Sequence, residues 1–277
     1  MALVTTKAIV LKSMRWGEAD RILTFFSLRF GKVRGIARGA RRMKSRFGGM
    51  LEPFSSVNLT LFDKRNDGLA SVSQVDSLES FSSLRESLDR IWAASRMVAL
   101  VDGATADRDP SPPMFHTLLE GLRLLVRTDD PGLLTLIFQI HILGQSGFQP
   151  QIERCASCGR NFGEQSSWFS PSAGGRLCGS CDRGSWDYCL PMSQGSTAFL
   201  RQARQIPFEL AMRLKARGQV RKEVEAIVET YASAVVGKRL PAKEPLAAES
   251  APAPYGLVQK DGMEGNGAIH GHGDHSA

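Results

Sequence analysis

The sequence predicts an α+β chain in two folded parts, a small closed β-barrel and then an α-helical domain interrupted by a four-cysteine insertion. Three observations carry this expectation. Short apolar-rich runs separated by turn residues fill residues 5–75, with no long helical period among them. From residue 82 onward, apolar residues recur at helical spacing instead. Two C-x2-C pairs, Cys155/Cys158 and Cys178/Cys181, then fall between helical stretches with nineteen residues separating them.

Residues 5–16 read as the first strand, Ala8, Val10 and Ser13 interleaving with Lys7, Ile9, Leu11 and Lys12. Gly17-Glu18-Ala19-Asp20 forms a turn, and residues 21–28 a second strand whose composition also suits a helix. Phe30-Gly31 makes a tight connection into a third strand at residues 32–37. Residues 38–49, with Gly39, Gly48 and Gly49, read as a mobile loop. Strands at 57–62 and 69–75, joined by a hairpin turn at 63–68, complete the set. About five short strands in so few residues are most economically closed as an OB-fold.

The helical part begins with a stripe of Leu84, Leu88, Ile91, Trp92, Ser95, Val98 and Ala99 opposite Arg85, Glu86, Asp89 and Arg90. Residues 109–113 punctuate, and residues 114–127 form a second helix. Residues 133–143 are apolar nearly all round and predict the central helix of a bundle, ended by Gly144, Gly147 and Pro150. Helical spacing resumes over 193–204 and 208–236. The expected organisation is a barrel at 1–80 and a helical domain at 81–240 with its metal-binding insertion at 152–190. A tail at 241–277, rich in Ala, Pro, Gly, Glu and His, has no apolar period and is expected to be disordered.

With 277 residues and 42% hydrophobic side chains, the chain can bury ordinary cores. The N-terminal apolar run is too short for a signal peptide. The longest uncharged run, 131–152, carries Gln139, His141, Gln145 and Gln151 and does not read as a membrane span. Four of the five cysteines in tight pairs fit metal binding in a reducing compartment, so a cytoplasmic protein is expected.

Charge is distributed unevenly. Residues 29–46, RFGKVRGIARGARRMKSR, hold eight basic residues and no carboxylate. Residues 1–80 contain 14 Lys and Arg against 7 Asp and Glu, which equals the net +7 of the whole chain. An uncompensated cluster on a folded edge is the electrostatic footprint of a nucleic-acid surface. A solvated face without a partner is the plain alternative. A membrane surface would attract the same charge, but no amphipathic basic helix or lipidation signal accompanies it.

Four cysteines supplied as two knuckles suit a tetrahedral zinc at about 2.3 Å per bond, with an iron–sulfur cluster or no metal as the alternatives. Gly159 and Gly179 offer the permissive backbone that knuckle turns use. Four Cys ligands leave no open coordination position, so such a site is structural. Arg154, Arg160, Arg176 and Arg183 are placed to offset its negative charge, with a continuation of the nucleic-acid surface as the alternative. Cys189 reads as a buried apolar residue, with replacement of a ligand as the alternative.

No catalytic constellation emerges. The phosphate-loop, H-E-x-x-H and zinc-deaminase patterns are absent, and His116 and His141 read as core residues on apolar helices. Two competing classes remain. One is a zinc-ribbon adaptor binding only protein, its basic loop engaging an acidic partner. The other is a zinc-dependent nuclease or hydrolase.

The segment GEADRILTFFSLRFGKVRGIARGARRMKSRFGGMLEPF (residues 17–54) resembles the N-terminal signature of the bacterial RecO DNA-repair family. ILGQSGFQPQIERCASCGR (142–160) and FSPSAGGRLCGSC (169–181) are similar to that family's zinc-bearing region, and matching order extends over about residues 3–237. Gln139 and His141 stand where the family more often has charged residues, and the tail after Leu240 has no counterpart in it.

The resemblance implies an OB-fold, a helical domain with one structural zinc, and a non-enzymatic recombination mediator of the RecF pathway at the nucleoid. Such proteins bind single- and double-stranded DNA and anneal complementary strands. With RecR and single-strand-binding protein they help load RecA, an indirect partner, on gapped DNA. Carried over by position, Arg34, Arg38, Arg41, Arg42, Lys44 and Arg46 would contact DNA. The acidic, apolar-ended tail of single-strand-binding protein would meet the helical domain, with Arg123 and Arg127 as candidates because i and i+4 share a face. Trp16, Phe25, Phe30 and Phe47 are candidate stacking platforms, although aromatics in so small a barrel mostly serve its core.

Overall fold

The computed structural model describes residues 2–63, 68–162, 167–181, 188–211 and 213–241. The expected turn at 63–68 and the expected tail therefore fall largely outside the described residues. Five strands form a closed barrel: β1 (Ala2–Trp16), β2 (Asp20–Ser27), β3 (Gly31–Ala37), β4 (Ser56–Asp63) and β5 (Ala70–Glu79), in the order β1-β2-β3-β5-β4. A parallel pairing of β3 with β5 closes it, while every other pairing is antiparallel, which is the OB arrangement the sequence predicts. β1 is long enough to serve two neighbours, its first half pairing β4 and its second half β2, with a bulge between Val10 and Lys12.

The bulge region also divides β1's side chains. Ala8 and Val10 point into the barrel with Leu23, Phe25, Val33 and Leu59, whereas Ile9 and Leu11 join the core of the helical part. Phe26 and Phe54 do the same from the barrel wall. This double burial explains why residues 21–28 read as helix or strand: Leu23 and Phe25 face inward while Phe26 faces the bundle, so the alternation of a half-exposed strand is lost.

A short 3₁₀ turn at Ser82–Glu86 leads into α1 (Leu88–Ala104), followed by α2 (Pro112–Arg127) and α3 (Pro131–Gln145). Helix α3 is buried along Leu133–Leu143 and is the central helix, as its all-round apolarity predicts. The stripe expected from Leu84 onward is broken at its start, because Leu84 is buried in the 3₁₀ turn and Leu88 is exposed at the first turn of α1. A three-stranded antiparallel sheet, β6 (Ser167–Ser170), β7 (Gly175–Leu177) and β8 (Leu190–Met192), lies between α3 and α4 (Gln194–Gln205). The single helix expected over 208–236 is two, α5 (Phe208–Ala211) and α6 (Gly218–Val236). Gly237 ends α6 in the left-handed conformation. Leu240 is buried and the Pro241 carbonyl accepts from Arg96 Nη1 at 2.9 Å, so the docked chain reaches Pro241.

Candidate metal centre and nucleic-acid interface

The basic run folds against the tip of the β1–β2 hairpin. Asp20 Oδ1 accepts from the Gly39 amide at 2.8 Å, and the Arg41 amide donates to the Ala19 carbonyl at 2.8 Å. Arg41 Nη1 adds a bond to the Gly17 carbonyl at 3.1 Å. Successive turns follow, from the Arg42 amide to Gly39 and from the Ser45 amide to Arg42, and Phe47 plugs the barrel interior. Residues 38–47 are therefore tied down, where their glycines suggest a mobile loop. Gly39 itself needs its freedom, with φ at +69°.

The structure sorts the eight cations. Lys32 is taken by the bundle: its ammonium donates to the Asp102 and Thr105 carbonyls at 2.8 and 2.7 Å and lies 3.7 Å from the Asp102 carboxylate. Arg29 stacks over the Phe30 ring. Arg34, Arg38, Arg41, Arg42, Lys44 and Arg46 are all exposed, and none is ion-paired to a carboxylate among the described residues. Arg46 lies over Phe47, its guanidinium 4.9 Å from the ring centre. Of the four aromatic candidates, Phe25 and Phe47 are core, Phe30 is half-buried, and Trp16 is exposed.

The sulfur atoms of Cys155, Cys158, Cys178 and Cys181 all lie within 4.8 Å of one another. Cys158 and Cys178 are 3.8 Å apart, which is about the edge of a tetrahedron with 2.3 Å metal–sulfur bonds. Each knuckle is a turn: the Gly159 amide bonds the Cys155 carbonyl and the Cys181 amide bonds the Cys178 carbonyl, both at 2.9 Å. Gly159 has φ at +72°, but Gly179 is not left-handed, so only the first knuckle requires its glycine.

Electrostatics already favour thiolates at one end of the cluster. Burial opposes ionisation of Cys155, yet amides of Cys158, Cys178 and Ser157 hold its pKa down to about 6. The Arg160 amide lowers Cys158 in the same way. Cys181 is driven the other way, to about 11: although the Ser157 hydroxyl favours its thiolate, the neighbouring cysteines oppose it. Four thiols this close resist full ionisation until a cation occupies their centre, where the donor set suits a thiophilic divalent metal.

Of the arginines expected to balance this charge, Arg160 does so; its bond to Cys158 and the charges of Cys158, Cys178 and Cys181 raise its pKa. Arg176 does not. It is buried, with Nε 2.6 Å from Ser167 Oγ and its guanidinium 3.7 Å from the centre of the Phe162 ring, and burial lowers its pKa. Arg154 is exposed, and Arg183 lies outside the described residues. Cys189 is half-buried and apart from the cluster. Glu153, with Arg201 and Arg204 at 2.7 and 2.6 Å, fastens the first knuckle to α4.

Arg123 and Arg127 line one shallow groove with Phe81 and Val126. Arg123 is already engaged, its guanidinium forking onto Glu79 with a closest distance of 2.6 Å. His116 is exposed rather than core. His141 packs edge-on against Phe208, and burial lowers its pKa. The convergence of Lys12, Lys32 and Lys238 on Asp102 has no signal in the sequence, since the residues are far apart along the chain and each looks like an ordinary surface charge.

Residues 1–81 match the family model described as recombination protein O N terminal, and residues 85–244 the one described as recombination protein O C terminal. The chain is 35% identical to the DNA repair protein RecO of Rubrobacter xylanophilus over 249 residues, covering 87% of this chain and 97% of that protein. It is 32% identical to the DNA repair protein RecO of Syntrophus aciditrophicus, over 85% of this chain and 92% of that protein. Its likeness to the DNA repair protein RecO of a Nocardioides species is 40% over 179 residues, covering 63% and 72%.

Proposed function

Because the chain belongs to the recombination protein O family of DNA repair proteins, we propose that it is a non-enzymatic mediator that binds single- and double-stranded DNA and anneals complementary strands. The observation that carries this reading is the set of six exposed cations without a carboxylate partner among the described residues, Arg34 on β3 and Arg38, Arg41, Arg42, Lys44 and Arg46 in the loop that follows it. Two complementary strands repel each other through their phosphates. A fixed row of guanidinium and ammonium groups holds one strand and screens the second, releasing counterions from both. The duplex formed supplies the free energy, so no nucleotide hydrolysis is needed.

In this reading the barrel at 1–80 carries DNA and the helical domain at 81–240 carries partners, with RecR, single-strand-binding protein and, indirectly, RecA among them. The groove at Arg123 and Arg127 is the candidate seat for the acidic tail of single-strand-binding protein. Arg123 would exchange Glu79 for a peptide carboxylate there. One zinc held by Cys155, Cys158, Cys178 and Cys181 would be structural, its coordination filled by protein, and would fix the 152–190 insertion. Work at the nucleoid in the cytoplasm follows from these partners.

The test is a mixing assay of complementary oligonucleotides, with and without single-strand-binding protein. Annealing without ATP that accelerates with the protein supports the reading. Absence of any salt-dependent affinity for bare oligonucleotides would leave a protein-only adaptor in its place.

A further inference from the structure

We infer that Trp16 is a base-stacking residue that makes the basic face selective for single-stranded over duplex nucleic acid. The inference rests on the nucleic-acid reading above and deepens it. An isolated exposed apolar side chain needs no explanation, so exposure alone carries nothing. The position does. Trp16 is the last residue of β1 and is 58% exposed. The carbonyl of the next residue, Gly17, is bonded to the Arg41 guanidinium at 3.1 Å. Trp16 also pairs with Asp20 across the hairpin, so the two side chains share a face, and Asp20 uses its own to hold the Gly39 amide of the basic loop. Met14 and Met43, both exposed, flank the same hairpin tip and basic loop.

Rigidity supports the role. The hairpin tip is locked to the loop by the Asp20–Gly39, Ala19–Arg41 and Gly17–Arg41 bonds, so the backbones that carry the ring and the cations keep a fixed relation. The exposed Phe62, opposite Leu3 on β1 and separated from Ile36 of β3 by β5, is held to the loop by none of the bonds that tie the hairpin tip to it. Backbone-tracking cations beside an aromatic face are the two parts of a single-strand platform. In a duplex the bases are already stacked and their faces closed, so the ring contributes only to unpaired strands. A strand that finds its complement then loses its hold on Trp16, which favours release of the annealed product.

The experiment compares Trp16→Ala and Trp16→Phe with the unaltered full-length protein on three probes at fixed salt. These are a mixed-sequence single strand, a strand of equal length in which most positions are abasic, and a blunt duplex. Trp16→Ala should weaken binding to the intact single strand by about five- to a hundredfold, leave duplex and abasic affinity unchanged, and keep the salt slope. Trp16→Phe should recover most of the loss. Unchanged single-strand affinity in Trp16→Ala, or equal loss on single strand and duplex, overturns the inference while DNA binding stands. If the unaltered protein binds none of the probes, the nucleic-acid reading itself fails, and the inference with it.

Discussion

The Lys12 ammonium lies 2.6 Å from the Asp102 carboxylate, joining the barrel's first strand to the last turn of α1. Lys32 from β3 lies 3.7 Å away, and Lys238, just past α6, 3.4 Å away. One nearly buried carboxylate therefore gathers three cations from three parts of the chain. Burial works against its charge, but the Lys12 hydrogen bond and the three ammonium groups outweigh this and hold its pKa below the usual aspartate value.

Asp102→Asn should cost about 1–3 kcal/mol, since it strands partly buried ammonium groups. Urea denaturation measures it. Because the folded-state pKa is depressed, the carboxylate's contribution is complete above the ordinary aspartate pKa of about 4 and fades as pH falls through the lower folded value. The Asn variant should lack that acid-side decline, and an unchanged decline would assign acid sensitivity to other groups.

Glu223 should behave similarly at another joint. It accepts from the Ser193 amide at 2.9 Å, from Ser196 Oγ and from Gln219, fastening the start of α4 to α6. Burial opposes its charge, yet these donors bring its pKa down to about 2. Its contribution is present above the usual glutamate range and lost as pH falls toward 2. Glu223→Gln should lower thermal stability at neutral pH and by much less near pH 2, as thermal melts across that range would show.

Purified protein should contain one zinc per chain. Apparent binding free energies of structural zinc are on the order of 10–16 kcal/mol, so Cys158→Ser or a strong chelator should unfold at least the insertion. Metal analysis with circular dichroism checks this; iron with sulfide, or no metal, would refute the assignment.

Replacing Arg41, Arg42 and Lys44 with Ala should flatten the single-strand salt slope by about 2, at about 0.7 per phosphate contact. The loss should be the same for all sequences, because phosphate contacts carry no base information. Arg41 also bonds Gly17, so Arg42→Ala with Lys44→Ala is the cleaner pair, with an expected change of about 1.4. Affinity at three salt concentrations decides.

Removal of residues 242–277 should leave stability unaltered, whereas removal from Leu240 should lower it. Leu240 is buried, and Pro241 supplies the carbonyl that Arg96 Nη1 uses. Melting temperatures of the two truncations separate these outcomes.

The barrel and the cysteine centre were legible because their signals are local. Strand runs punctuated by Gly and Asp announce a small barrel, and C-x2-C spacing announces a tetrahedral site whatever surrounds it. The sheet of β6, β7 and β8 was not legible, since strands of three or four residues show no measurable alternation. Within the basic run, nothing distinguishes Lys32 from Lys44 as letters. Only the fold brings Asp102 and the Thr105 carbonyl to one and leaves the other in solvent. Arg176 shows the reverse error: its place beside Cys178 suggests charge balance, while its strand position turns it onto Ser167 and Phe162.

Gly31 marks where barrel and bundle cannot be prised apart. A Cβ there would sit 2.1 Å from the Asp109 carbonyl oxygen, and next to it the Arg108 amide bonds the Lys32 carbonyl at 2.9 Å. From the barrel, Ile9, Leu11, Phe26 and Phe54 are buried in the core of the bundle. A barrel excised for separate expression would therefore carry a raw apolar wall and tend to self-associate. As a cassette to be joined to another protein, such a barrel would bring that wall with it.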